Sequence, residues 1–67
     1  MEGIKLSLEA IRVQMGKTRA EMAELLGINL DRYNRLATGE SRMLATELYR
    51  LNEASGIPFE NIDVPLR

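Results

Sequence analysis

Four glycines, Gly16, Gly27, Gly39 and Gly56, punctuate a chain of 67 residues and limit the length of everything between them. Each follows a short run in which apolar residues recur at three and four positions, the period of a helix with one face turned to a core. Leu8, Ile11 and Met15 form such a stripe before Gly16, and Met22, Ala23 and Leu26 form the next before Gly27. Tyr33, Leu36 and Ala37 precede Thr38-Gly39. Leu44, Leu48 and Leu51 precede Gly56, with Ala45 and Asn52 beside them. Helices of about two or three turns cannot hold themselves in water, so the stripes must pack on one another. Leu26, Leu36, Leu48, Leu51 and Ile62 are therefore read as core.

Start signals agree with these stops. Thr18 with Glu21 three residues later is a capping box, which opens a helix near Arg19. Gly27 suits the left-handed residue that closes this helix, and Asn29 can cap the next. Pro58 suits the start of a last short turn, in which Phe59 and Ile62 return apolar weight to the bundle. "GESRM" reads as a looser linker, and residues 63–67 as a tail. No strand-like alternation, hairpin signal, internal repeat or low-complexity segment competes. The expected fold is all-α, a compact bundle of four to five short helices forming a single domain over residues 1–67.

At this length only one core can be buried, so any function sits on one surface. The chain is 45% hydrophobic and 28% charged with 2 Pro, which falls on the folded side of the disorder boundary. It has no Cys and no His, which removes thiol and imidazole metal ligands, disulfides and His-based acid-base chemistry together. Isolated Asp and Glu residues remain, without a glycine-rich phosphate loop or room for a pocket, so no enzyme, cofactor, metal or small-molecule substrate is expected. Apolar runs are short, and Glu2 and Lys5 interrupt the start where a signal peptide needs an apolar core. The reading is a cytoplasmic protein away from membranes.

A net charge of −1 argues against a nucleic-acid partner, but its distribution argues the other way. From Arg12 to Arg42 the chain has six cations and four acids, and elsewhere three cations and six acids. Such asymmetry fits a basic face or ordinary solvated helices equally well.

The order and spacing of the elements resemble the helix-turn-helix domains of the phage Cro and repressor type, the lambda-repressor-like fold. "TRAEMAELLGI", from Thr18 to Ile28, matches the family's second helix and its Leu-Gly close. Asn29, "LDRYNRLATG", "ESRML", "ATELYRLNEASGI" and "FENI" match the cap, recognition helix, linker and last two helices, without insertion between Gly39 and Gly56. The helix-turn-helix unit then spans about residues 18–39. The resemblance implies a sequence-specific transcriptional regulator of phage or prophage kind that sets helix 30–38 into the DNA major groove.

Carried over by position, Leu30, Asp31, Arg32 and Arg35 would face base edges. Arg32 or Arg35 can pair with guanine, Asp31 can accept from cytosine, and Leu30 can meet a thymine methyl. Lys17, Arg19, Asn29, Asn34 and Arg42 would face the backbone, although Arg19 reads equally as a solvated charge. The expected partners are a double-stranded operator and a second copy of the chain or another protein, meeting near the fourth and fifth helices. The alternative is the same fold used as a protein-interaction module of antirepressor or antitoxin-like kind, which the acidic balance, Asp31 and the extra leucines favour.

The chain departs from the family pattern at several positions. Tyr33 stands at an aliphatic site, where its hydroxyl must either reach water or find a partner, and half exposure at the edge of the interface is expected. Ala37 stands where the family has a Glu that pairs with the first helix's Arg, so Arg12 is expected to lose its brace. Asn52 replaces a small apolar residue, implying either a bonded buried amide or a local opening. Val13, Leu25, Leu30 and Leu44 are apolar where the family is generally polar. Finally, Lys17, Arg19, Arg32, Arg35 and Arg42 are expected on one face, with Glu9, Glu47, Glu53 and Asp63 away from it.

Overall fold

Capping fixes the start of each helix. The computed structural model describes residues 5–67. Ser7 Oγ accepts from the Ala10 N–H at 3.2 Å and opens α1, Leu8–Met15. Thr18 and Glu21 form both halves of a capping box, at 3.1 and 2.8 Å, at the head of α2, Arg19–Leu26. Asn29 Oδ1 accepts from the Arg32 N–H at 2.8 Å to open α3, Leu30–Thr38. Leu44 precedes α4, Ala45–Ser55, and offers no acceptor, so Glu47 supplies half a box by accepting from the Leu44 N–H at 2.7 Å. A 3-10 turn, Phe59–Asn61, follows Pro58. All four α-helices end at the expected glycines, and the all-α reading holds.

Leu8, Ile11, Met22, Ala23, Leu26, Tyr33, Leu36, Met43, Leu51 and Ile62 form the core, with α2 packed against both α3 and α4. Two details differ from the sequence reading. Leu44 caps α4 rather than continuing its stripe and is exposed, Leu48 is half-buried, and Glu47 turns inward. Met43, assigned to a loose linker, is buried.

The reason lies in the C-terminal segment. Residues 63–67, expected as a tail, run beside Met43 and are bonded to it. Met43 N–H donates to the Pro65 carbonyl at 2.8 Å, and Arg67 N–H donates to the Met43 carbonyl at 2.9 Å. A second pairing joins Leu6 to Ile62 through bonds from Leu6 N–H to Asn61 O and from Asp63 N–H to Leu6 O, each 2.8 Å. Single parallel bridges of this kind carry too little apolar alternation to show in sequence.

At the turn between α2 and α3, Gly27 has φ +73°, and a Cβ there would lie 1.8 Å from Arg50 Nη1. The same Arg50 nitrogen donates to the Leu26 carbonyl at 3.2 Å, satisfying one of the acceptors that a helix end leaves open. The glycine is required for its left-handed conformation, and a Cβ there would also displace the Arg50 guanidinium from this bond. Asn52 proves to be a bonded amide rather than an opening: its Nδ2 donates to the Ile57 carbonyl at 2.6 Å and closes the end of α4.

Candidate nucleic-acid interface

Tyr33 and Leu36 hold α3 to the core, which leaves its opposite face to solvent. Leu30 (45% exposed), Asp31 and Arg35 lie on that face. Asp31 and Arg35 form an i,i+4 ion pair at 3.1 Å with side chains 73% and 57% exposed, a geometry that solvent competes for readily. Both groups remain available to an outside partner.

Arg32 has a different situation. Its Nε donates to Glu47 Oε2 at 2.7 Å and its Nη2 to Glu47 Oε1 at 2.8 Å, with a further contact to the Arg42 carbonyl at 3.3 Å. This two-pronged pair ties α3 to the head of α4. Glu47, only 4% exposed, has both oxygens satisfied by Arg32 and the Leu44 N–H. The Arg32 hydrogen bonds draw the Glu47 carboxyl below its ordinary value against the opposing effect of burial, with the Leu44 N–H helping.

A second carboxylate gathers three helices. Glu9 accepts from Arg12 Nε and Nη2 at 3.2 Å each, from Arg19 Nη2 at 3.2 Å, and from the Tyr33 hydroxyl at 2.6 Å. Arg19 also donates through Nη1 to Asn34 Oδ1 at 3.2 Å, and Arg12 Nη1 to the Lys17 carbonyl at 2.9 Å. Burial pushes the Glu9 carboxyl up, but hydrogen bonds from Tyr33 and Arg12 and the charges of Arg12 and Arg19 bring it below its ordinary value. The brace that Ala37 was expected to forfeit is rebuilt within α1: Glu9 supplies the carboxylate for Arg12. Tyr33, expected half exposed, is fully buried because its hydroxyl finds that same carboxylate.

The expected separation of charges does not hold. Glu9 and Glu47 stand among the arginines, not away from them, and bind Arg12, Arg19 and Arg32. Lys17 and Arg42 lie in the loops flanking the unit, Asn29 serves as the α3 cap, and Asn34 receives Arg19. Sequence reasoning missed both acidic braces. Glu47 carried a signal, an acid three residues after the start of a helix, and Glu9 stands three before Arg12.

Both carboxylates ionise more readily in the fold than in an unfolded chain, so protonating them opposes folding. Their contribution is complete above the ordinary carboxylate value of 4.5 and is lost as pH falls through the lower folded values. Melting temperature is expected to hold level from neutral pH to about 5 and then to fall, with Glu47→Gln flattening the decline. A wild-type melting temperature unchanged at about pH 3 would show that these braces carry no stability.

Two helices joined by a glycine turn, the first capped and seated on the core through Met22, Ala23 and Leu26, the second anchored by its core face and open on its polar face, define a helix-turn-helix module. The chain belongs to the helix-turn-helix family, whose sequence model matches residues 8–62. It is a DNA-binding regulator of the Cro and repressor type. No curated protein and no solved structure gives a significant match. Among the described residues no helix is long and apolar enough to cross a membrane.

Proposed function

We propose that the protein is a small Cro-like transcriptional regulator of phage or prophage kind that acts in the cytoplasm and reads a specific duplex operator through α3. The observation that carries this reading is the exposed face of α3, with Arg35 and Asp31 paired only to each other among the described residues while Tyr33 and Leu36 fix the helix behind them. Arg35 donates to guanine O6 and N7 in the major groove, Asp31 accepts from a cytosine amino group, and Leu30 meets a thymine methyl. Lys17, Arg19, Asn29, Asn34 and Arg42 contact the backbone. Arg32 serves as a positioning residue that holds α3 against α4 through Glu47.

The protein works as a symmetric dimer on two half-sites about one helical turn apart. Tyr49, 63% exposed and edge-on to Phe59 at 5.4 Å, supports a contact through α4 and the 3-10 turn. The alternative, a protein-interaction module, draws support from exposed Val13, Leu25 and Leu44.

Binding to pooled random-sequence duplexes over a salt series decides between them. Affinity is expected to fall steeply with salt, and Arg35→Ala to cost about 1–3 kcal/mol for the preferred duplex while relaxing base preference at one position. Arg32→Ala is expected instead to lower the melting temperature. Absence of salt-sensitive duplex binding, together with capture of a protein partner, would overturn the DNA reading.

A further inference from the structure

The segment 63–67 brings a cation to the loop that leaves α3. The parallel bridge between Met43 and Leu66 carries Arg67 to the groove that Arg42 also lines, and Arg42 Nη1 donates to the Leu66 carbonyl at 3.5 Å. Ser41 N–H donates to the Arg35 carbonyl at 3.2 Å, which ties this loop to the last turn of the recognition helix. Arg32, Glu40, Ser41, Arg42 and Arg67 line the open groove that results.

The charges in this groove are unequal in status. Glu47 matches Arg32, whereas neither Arg42 nor Arg67 is in an ion pair among the described residues. Among the side chains that line the groove, two guanidinium groups outside any ion pair thus share it with one carboxylate, that of Glu40, and with the Ser41 hydroxyl. Guanidinium forks match phosphate oxygens in shape and charge, and phosphate contacts position a protein on a duplex without reading its sequence.

We propose that this groove seats a backbone phosphate of the duplex at the C-terminal end of α3, with Arg67 as a contact contributed by the C-terminal segment. The proposal rests on the DNA-binding reading above. It extends the interface to a segment outside the helix-turn-helix unit. The pairing with Met43 uses the Arg67 backbone N–H, so Arg67→Ala removes the guanidinium while keeping the strap.

The test compares wild type, Arg67→Ala and Arg67→Lys on random-sequence duplexes over a salt series, with melting temperature as a check on folding. Arg67→Ala is expected to melt as wild type, to lower the salt slope by about one and to weaken binding several-fold near 0.1 M salt, by the same factor for every duplex. Arg67→Lys is expected to keep the slope. An Arg67→Ala slope equal to wild type overturns the proposal. So does a loss confined to particular duplexes, which would make Arg67 a base reader. Lost capture of an acidic protein with duplex binding intact would assign the groove to a protein partner instead. Failure of the DNA reading itself would show earlier, as wild type without salt-sensitive binding.

Discussion

Glu47→Ala is expected to destabilise the domain by about 2–4 kcal/mol. The carboxylate is buried and holds three hydrogen bonds, two from Arg32 and one from the Leu44 N–H. Removing it strands a guanidinium that stays partly shielded from water and opens the head of α4. The lower part of the range allows for the Arg32 side chain, 29% exposed, regaining some solvent. In a domain of this size each kcal/mol moves the melting temperature by about 4–8 °C, so the drop is easily measured. Pairing the change with Arg32→Ala should cost less than the sum of the two alone, because each single change leaves one charge without its partner. A strictly additive pair would show that the two side chains do not stabilise each other.

Tyr33→Ala is expected to cost about 3–5 kcal/mol, comparable to the whole stability of many small domains, and to leave much of the protein unfolded. Tyr33→Phe separates the two roles of the ring. It keeps the buried volume and removes only the bond to Glu9, at about 1–2 kcal/mol. Burial first, and then the hydrogen bond to the Glu9 carboxylate, push the Tyr33 phenol well above its ordinary value of 10.0. The neutral phenol is thus favoured by the fold, and its stabilisation is complete below pH 10 and lost as pH rises above it. In a Tyr49→Phe background, absorbance should show Tyr33 ionising only with unfolding. Ionisation near pH 10 with the fold intact would contradict the buried bond.

Most of the fold was readable from local chemistry. Glycine stops, a capping box and apolar stripes act within a few residues, so Gly16, Gly27, Gly39, Gly56, Thr18 and Asn29 mark the helix ends in the sequence itself. Met43 and residues 63–67 were not readable, because their pairing joins positions far apart through backbone groups that every residue shares.

At the site, the outward residues of α3 came from the family resemblance, position by position, and Leu30, Asp31 and Arg35 are exposed as expected. What period cannot show is which charges satisfy one another. Arg32 was placed outward by the resemblance, yet a carboxylate from α4 takes the Nε–Nη2 edge of its guanidinium. Net charge misled for the same reason. Glu9 and Glu47 neutralise cations inside the structure, so a total of −1 says little about the field outside Arg35, Arg42 and Arg67.

Leu6 and Ile62 meet across nearly the whole length of the chain. Closing so long a loop carries an entropic cost that the local helices do not, and among the described residues two backbone hydrogen bonds hold the pairing directly. The contact is expected to form late and open early, so amide exchange at Leu6 and Asp63 should outpace exchange within α2 and α3. Met43 and Leu66 share this arrangement, so opening is expected to start at the edges, and the segment that carries Arg67 should come away before α3 itself loosens.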